Sequence, residues 1–384
     1  MSHLENASVA VIGGGIGGLA AALAFSRFGA AVTVYEQADA LTEVGAGIQI
    51  TPNGGRVLAA LGLGDQLDAF SLRAQAVLPR DGLTGRVIAR FDLARQTPPY
   101  RFFHRAALIE VLGAACRQAG VTFQLGTRVD AVTTEGAVVT GRGPQNFDLV
   151  VGSDGLHSVA RGLLNGQGAP FFTGQVAWRG IIEAPDMLPE ANIWMAPGKH
   201  VVTYPLKGDL LNVVAVQERS DWAAEGWHHD DDPANLQAAF ANTGADLQGL
   251  IERVQPPKLW GLFRHPVAPC WHSDRLAILG DAAHPTLPFL AQGANLALED
   301  AWTLAATCAA APLAEALPRY QAKRAPRVTR AINAANANAR NYHLSGLQRR
   351  IAHAGLRTLG TIAPNAFLKR LSWLYDHDVT ASFG

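Results

Sequence analysis

Residues 9–18 read Val-Ala-Val-Ile-Gly-Gly-Gly-Ile-Gly-Gly, an apolar run that opens directly into glycines. Helix-forming alanine and leucine follow as far as Phe28, and a β-branched run at residues 31–35 comes after Gly29. This order predicts a strand, a tight turn, a helix and a second strand, which together have the length of a βαβ unit. The sequence therefore predicts an α/β fold that begins with a Rossmann-like parallel sheet.

The glycines of this turn have a spacing typical of dinucleotide sites. Gly13, Gly15 and Gly18 match G-x-G-x-x-G, in which the first permits the turn, the second admits a pyrophosphate and the third lets helix and strand pack closely. Glu36 ends the second strand, where a carboxylate accepts hydrogen bonds from a ribose hydroxyl, and Gln37 follows it. These residues predict a site for the adenosine half of FAD or NAD, against the alternative of an ordinary glycine-rich turn.

Two later apolar runs extend the predicted sheet. Residues 148–151 and 276–279 are each followed closely by glycine and aspartate, as expected of parallel strands that deliver side chains at their carboxyl ends. Between residues 171 and 270 the pattern changes to alternating strands, such as 200–204 and 210–216. We therefore expect an antiparallel substrate-binding sheet inserted into the parallel one, followed by C-terminal helices.

Composition excludes several classes of partner. Lys plus Arg and Asp plus Glu number 32 each, so no basic field gathers nucleic acid or an anionic membrane. The three cysteines lie far apart in the sequence, which fits neither a disulfide framework nor a zinc site, and we expect no metal. Neither a signal peptide nor an apolar run of the roughly 20 residues that cross a bilayer is visible. We expect a cytoplasmic protein, and a homodimer is compatible with the sequence.

Two further motifs distinguish FAD from NAD. Residues 152–161 read Gly-Ser-Asp-Gly-Leu-His-Ser-Val-Ala-Arg, and residues 280–285 read Gly-Asp-Ala-Ala-His-Pro. The loop Gln292-Gly293-Ala294-Asn295 follows. With these motifs in this order over nearly its whole length, the chain resembles the flavoprotein aromatic hydroxylases of the p-hydroxybenzoate hydroxylase type, a family of single-component FAD monooxygenases.

The resemblance implies four segments. The first part of the FAD-binding domain covers residues 1–170, and the substrate-binding sheet domain covers residues 171–270. The FAD-binding domain returns with its flavin loop over residues 271–330, and a helical C-terminal segment covers residues 331–384.

The resemblance also implies roles for cofactor-binding residues. Asp281 bonds the ribityl chain of FAD, and Gly293, Ala294 and Asn295 belong to the loop beside the flavin ring. A helix that begins near Gly293 would direct its positive end at the charge of the reduced flavin.

Three further residues resemble cofactor-binding positions of the family. Asp154 belongs to the pair implicated in FAD and pyridine-nucleotide binding, Arg105 resembles the arginine near the flavin, and Gly47 is assigned to the same site. Asp154 as a helix cap and Arg105 as the partner of a surface acid are the alternatives. Ala291 departs from the family, which commonly has glycine there; alanine restricts the backbone without removing the loop.

The substrate side depends on two residues of one predicted strand. His200 and Tyr204 are four apart and so share a face, where imidazole can accept a phenolic proton and the tyrosine hydroxyl can orient the substrate. With Gln292 near the flavin, this arrangement resembles family members that hydroxylate hydroxybenzoate and hydroxynicotinate rings, and we predict these three residues to be catalytic. The alternative is a solvated strand face.

Gln49 and Arg179 are further substrate candidates, with a purely structural role as the alternative.

The resemblance implies an FAD-dependent monooxygenase that uses NADH or NADPH and O2. Its substrate would be a small hydroxylated aromatic or heteroaromatic acid, hydroxylated through a flavin C4a-hydroperoxide. The alternatives are a monooxygenase of the same fold with a larger substrate, such as a quinone precursor or a polyketide-like compound, and a non-catalytic flavin-binding protein.

Overall fold

The structure is a computed structural model that describes residues 2–41, 46–220 and 229–381. The strands in chain order are β1 (Ser8–Ile12), β2 (Ala31–Tyr35), β3 (Gly47–Ile50), β4 (Ser71–Arg73), β5 (Ala76–Asp81), β6 (Phe91–Asp92), β7 (Arg101–His104), β8 (Thr122–Gln124), β9 (Val129–Val132), β10 (Ala137–Thr140), β11 (Gly143–Asn146), β12 (Leu149–Gly152), β13 (Phe171–Glu183), β14 (Glu190–Ala196), β15 (Lys199–Leu206), β16 (Leu210–Glu218), β17 (His229–Asp230), β18 (Lys258–Arg264) and β19 (Leu276–Ile278). The α-helices are α1 (Ile16–Arg27), α2 (Pro52–Ala60), α3 (Leu67–Phe70), α4 (Arg105–Gln118), α5 (Val159–Asn165), α6 (Pro233–Phe240), α7 (Ala245–Glu252), α8 (Gly293–Ala310), α9 (Leu313–Tyr342), α10 (Gly346–Ile362) and α11 (Pro364–Tyr375).

A parallel sheet organises the first part of the chain. Its strand order is β19-β12-β1-β2-β8, and every pairing in it is parallel. Residues 9–12 of β1 are buried, as expected of a central strand with both faces covered. The predicted βαβ unit and the two later strands at residues 148–151 and 276–279 are confirmed.

An eight-stranded sheet forms the second layer, in the order β17-β18-β13-β16-β15-β14-β5-β6. Its pairings are antiparallel except that of β14 with β5. The predicted α/β class with an inserted antiparallel sheet is confirmed. The sheet also takes β5 and β6 from within the predicted segment 1–170, and the predicted boundary at residue 331 lies inside α9.

The period of two along β15 and β16 divides their side chains between two environments. Val201, Val213 and Ala215 pack with Trp178 in a cluster that α6 and α7 cover. The alternate residues face the opposite way, toward the parallel sheet. The second layer therefore presents one face to the interior cleft between the two sheets. No helix among the described residues has the length and apolarity that crossing a membrane requires.

A buried ion cluster joins this cleft to the C-terminal helices. Arg324 of α9 donates to Glu299 at 2.5 Å and to Asp300 at 2.7 Å, and all three side chains are at most 1% exposed. Asp300 also accepts the Gly280 N–H at 3.1 Å and pairs with His284. Burial alone would raise the pKa of Asp300, but His284 and Arg324 outweigh it and hold the pKa at about 2.

Glu299 extends the cluster to two more elements. Its carboxylate accepts a hydrogen bond from Asn53 of α2 at 2.7 Å and is bound by Arg327 of α9 at 2.7 Å. Arg327 also donates to the backbone carbonyls of Trp373 and Leu374 at the end of α11. One group of buried charges thus holds α2, α8, α9 and α11 together.

Replacing Asp300 should lower the stability of the folded protein. Asp300→Asn leaves Arg324 and His284 short of a buried anion, so we expect a loss of about 3–5 kcal/mol in the free energy of unfolding. Because its folded pKa is depressed, the Asp300 contribution is present above the unfolded value near pH 4 and is lost as pH falls toward about 2. Urea unfolding at pH 7 measures the change. The exposed Asp274→Asn is the control, and equal stability of the two variants would contradict the prediction.

Candidate active site

The glycine turn between β1 and α1 has the geometry that its motif predicts. Gly13 has φ +99°, which favours glycine. A Cβ at Gly18 would lie 2.0 Å from the Gly13 carbonyl oxygen, so only glycine permits this approach. A Cβ at Gly15 would meet nothing within 4 Å. Gly15 is the N-cap of α1 and opens onto the cleft, where a pyrophosphate can reach the backbone.

Glu36 closes the second strand beside this turn. Its two carboxylate oxygens accept the Gly14 N–H at 2.7 Å and the Ala38 N–H at 2.9 Å. A carboxylate has about four acceptor positions, so it retains capacity for ribose hydroxyls. Gln37 is exposed next to it.

The opposite edge of the cleft comes from the end of β19 and the start of α8. Asp281 faces the cleft, and Gly293 and Ala294 place the first turn of α8 at the same cavity. Loss of hydration raises the pKa of the Asp281 carboxyl, whereas the nearby His284 and Arg105 act to lower it. The free N–H groups of the α8 terminus and this carboxylate offer complementary partners to the polar atoms of a flavin nucleotide.

The cavity at this cleft measures about 350 Å³, within the range of small-molecule sites. The predicted site residues that line it are Gly15, Gly47, Gln49, Arg105, Arg179, His200, Tyr204, Asp281, Gln292, Gly293 and Ala294. The structure thus brings together residues from seven separate stretches of the chain, namely 15, 47–49, 105, 179, 200–204, 281 and 292–294.

His200 and Tyr204 face this cavity from β15. His200 is 2% exposed and Tyr204 is 3% exposed, so the alternative of a solvated strand face does not apply. Burial raises the pKa of Tyr204 well above its ordinary value, although Arg179, Gln49 and Arg105 act to lower it. Gln49 also acts on the Tyr204 hydroxyl to lower this pKa, and its Oε1 accepts a hydrogen bond from the Tyr100 hydroxyl at 2.7 Å.

Arg179 approaches the same cavity from β13. Its guanidinium carbon lies 4.2 Å from the centre of the Trp260 ring, a cation–π distance. Trp260 was not singled out by sequence reasoning, because only the pairing of β18 with β13 decides which face it occupies. With Arg105 on another wall, two arginines line the cavity.

Several predicted site residues lie behind the cavity wall. The Asp154 carboxylate accepts the Val159 N–H at 2.8 Å and a hydrogen bond from the hydroxyl of Ser158, the N-cap of α5, so it braces the start of that helix. Asn295 accepts the Thr51 N–H at 3.0 Å and donates to the carbonyls of Gln49 and Ala291. These contacts brace the framework, and the structure shows no contact of either side chain with the cavity.

Gln292 lines the cavity, but its amide is directed into the framework. Its Nε2 donates to the Thr51 hydroxyl at 3.1 Å and to the Leu290 carbonyl at 3.2 Å, and its Oε1 accepts from Asn53 at 3.1 Å. In this arrangement Gln292 holds the loop in place. Its predicted catalytic role requires a different orientation of the amide.

Within residues 2–41, 46–220 and 229–381, no three His, Cys, Asp or Glu side chains come together as metal ligands. The residues that line the cavity form a cradle for a dinucleotide and a pocket beside it. An open approach at Gly15, a cleft-facing Asp281 and the α8 terminus fit FAD.

Comparisons with known proteins agree with this geometry. Residues 6–335 match a family described as "FAD binding domain". The chain belongs to the FAD-dependent aromatic hydroxylases. This family member is 36% identical to "3-amino-4-hydroxybenzoate 2-monooxygenase PtmB3" of Streptomyces platensis, with 98% of each chain covered. It is 32% identical to "3-hydroxybenzoate 6-hydroxylase" of Polaromonas naphthalenivorans (strain CJ2), covering 97% of this chain and 96% of that protein.

A solved structure extends the comparison to a flavin complex. Klebsiella pneumoniae HpxO, described as complexed with FAD and uric acid, superposes with a TM-score of 0.82 at 28% identity. The match covers 91% of this chain and 92% of that one. The family resemblance and the FAD cofactor predicted from the sequence are confirmed.

Gly15→Val should separate flavin binding from folding. The new side chain has room in the protein but occupies the pyrophosphate approach, so we expect a folded protein that is purified without flavin. Visible flavin absorbance and circular dichroism measure the two properties. Gly18→Ala is the contrasting variant and should fail to fold, because its Cβ would clash with the Gly13 carbonyl. A yellow Gly15→Val protein would contradict the assignment.

Ala291 adopts φ +54° in the flavin loop, a left-handed conformation that costs a non-glycine residue about 1–2 kcal/mol. The family's glycine would remove this strain but would lose more chain entropy on folding. We expect Ala291→Gly to raise the free energy of unfolding by about 0.5–1 kcal/mol. Chemical denaturation of the FAD-loaded protein measures the gain. Ala311→Gly, at an extended position, is the control and should not stabilise.

Proposed function

We propose that this chain hydroxylates a small phenolic acid, with His200 and Tyr204 at the ring hydroxyl of the substrate. The observation that carries the proposal is that both side chains line the same cavity as Asp281 and the start of α8. The substrate ring would therefore lie next to the cofactor. The named substrates of the similar hydroxylases from Streptomyces and Polaromonas, hydroxybenzoates in both cases, support this class.

His200 is suited to receive the phenolic proton. Burial and the neighbouring His343 lower the pKa of His200 well below its ordinary value, so the ring is neutral at pH 7. A neutral imidazole has one free acceptor nitrogen. Removing the proton from the substrate makes its ring more electron-rich and more reactive toward an electrophilic oxygen.

Tyr204 is suited to orient the substrate. Its raised pKa keeps the hydroxyl protonated, so it can donate a hydrogen bond. Gln49 lines the same cavity, and the hydrogen bond from Tyr100 sets the orientation of its amide. This arrangement limits the directions in which Tyr204 can donate.

Arg179 and Arg105 favour an anionic substrate. Both side chains line the cavity, and their charge acts against the burial that raises the pKa of Tyr204. An arginine can bind a carboxylate through two parallel hydrogen bonds. We assign the substrate carboxylate to Arg179, because Trp260 holds its guanidinium on the wall formed by the antiparallel sheet.

The residues that would hold FAD are Gly15, Glu36, Asp281 and the first turn of α8. When bound and reduced by NADH or NADPH, FAD supplies the activation of O2 and the transfer of one oxygen atom to the ring. The protein's own part is to position the substrate, move its proton and exclude water.

The test is oxidation of NADH and NADPH by the FAD-loaded protein with 3-amino-4-hydroxybenzoate, 3-hydroxybenzoate, 6-hydroxynicotinate and salicylate. Product and hydrogen peroxide are measured together. We expect one of these acids to accelerate oxidation and yield a hydroxylated product. If 3-amino-4-hydroxybenzoate is active, 2-aminophenol, which lacks the carboxylate, should show a raised KM. Acceleration only by a bicyclic phenol would favour a larger substrate, and FAD binding without turnover would favour a non-catalytic role.

His200→Ala should uncouple the reaction. We expect normal FAD content, slower hydroxylation by about 10²-fold or more, and a larger share of reduced cofactor lost as hydrogen peroxide. The ratio of product to NADH consumed measures this coupling. The exposed His3→Ala is the control. Unchanged coupling in His200→Ala would remove His200 from the mechanism.

A further inference from the structure

Three titratable side chains connect the substrate cavity with the protein surface. His200 Nδ1 lies 2.7 Å from His343 Nε2, and His343 Nδ1 lies 2.7 Å from Glu218 Oε1. His200 and His343 are 2% and 8% exposed, whereas the Glu218 side chain is 54% exposed. The contacts therefore run from a buried group on the cavity wall to a carboxylate in solvent.

The fold holds these groups in line through the turn between β14 and β15. Gly198, at φ +67°, donates its N–H to the His343 carbonyl at 3.1 Å. Its own carbonyl accepts the Glu218 N–H at 2.9 Å. One glycine thus bridges the end of α9 and the end of β16, and it places His343 beside Glu218.

We propose that His200, His343 and Glu218 form a relay that carries the phenolic proton of the substrate from the buried cavity to solvent. This inference rests on the proposed function, because it requires a phenol at His200. In this relay only His200 contacts the substrate. His343 and Glu218 act through His200, by receiving and passing on its proton. The class of ligand that the relay serves is a phenol whose ring hydroxyl meets His200 Nε2.

The relay conserves every proton. The substrate O–H bond breaks as His200 Nε2 gains a proton, and His200 releases its Nδ1 proton to His343 Nε2. His343 then releases its Nδ1 proton to Glu218, which gives it to water. Return of a proton to the hydroxylated product runs the same path backwards and restores both starting tautomers.

The charge state and the burial of the histidines agree with proton movement from His200 to Glu218. Burial lowers the pKa of both histidines, and Glu218 partly offsets the effect at His343. Neutral imidazoles each have one donor and one acceptor nitrogen, as a relay requires. His200 is 2% exposed, and its hydrogen-bonded chain leads through His343 to the solvent-exposed Glu218.

The other charged and titratable groups around the relay have different partners. The Tyr342 ring lies 5.2 Å from the His200 ring, and burial raises its pKa to about 12, so it stays protonated. Lys199 Nζ donates to the Ala239 carbonyl at 2.5 Å. The Arg219 guanidinium carbon lies 5.0 Å from the centre of the Trp178 ring. Glu218 is thus the carboxylate in hydrogen-bond contact with His343.

The experiment measures proton release when a phenol binds to the FAD-loaded protein. Stopped-flow mixing with 3-amino-4-hydroxybenzoate is followed by a pH indicator and, separately, by the ultraviolet band of the phenolate. In His343→Gln we expect proton release to slow at least about tenfold, while Kd for the phenol changes less than about threefold. Glu218→Gln should slow release and shift its pH profile, and Glu218→Asp should restore both. The exposed Glu183→Gln is the matched control at the far end of the same strand pair.

Wild-type rates and pH profiles in both His343→Gln and Glu218→Gln would overturn the relay. If His343→Gln does not fold, the solvent-facing Glu218→Gln decides alone. The two proposals fail separately. Hydroxylation with unaltered proton release would reject the relay and keep the function, whereas His343-dependent release without hydroxylation of any phenol would keep the relay and reject the function.

Discussion

The buried ion cluster of Glu299, Asp300 and Arg324 is the constraint on which the rest of the site depends. Removing such charges from water costs several kcal/mol each, and only close, fully bonded partners offset that cost. Asp300 also binds the Gly280 N–H and His284, so the cluster determines where the turn that carries Asp281 can lie. Acidic side chains in the interior of α8 thereby position the cofactor edge of the cleft.

The two sheets contribute different chemical groups to the cleft. The parallel sheet and its turns supply backbone N–H groups and carboxylates for a dinucleotide, as their carboxyl-end position favours. The eight-stranded sheet supplies another wall of the cavity, because alternate side chains of β15 and β16 face inward. Arg105 lines the cavity between the two halves, and its charge acts against the burial that raises the pKa of Asp281 and of Tyr204. A phenolic acid in this cavity would meet both halves.

Local patterns predicted most of the cofactor half. The spacing of Gly13, Gly15 and Gly18 requires one backbone path, because the turn, the pyrophosphate approach and the helix packing all act over a few residues. The period of a strand predicted that His200 and Tyr204 share a face, and the packing of the two sheets decided that this face is buried. Local patterns did not predict which polar side chains would form hydrogen bonds within the protein and not face the cavity. The amide of Gln292 bonds residues about 240 positions earlier in the chain, and its direction depends on those partners.

By itself, the sequence determined the fold class, the dinucleotide turn and the shared face of His200 and Tyr204 on β15, since each depends on neighbours within one or two elements. The tertiary structure alone decided that Asp154 braces the start of α5, that Trp260 packs on Arg179 and that His343 lies between His200 and Glu218. His343 is 143 positions from His200, and only the packing of α9 against the antiparallel sheet brings them together. Contacts of that range depend on how whole elements dock, and no local pattern encodes them.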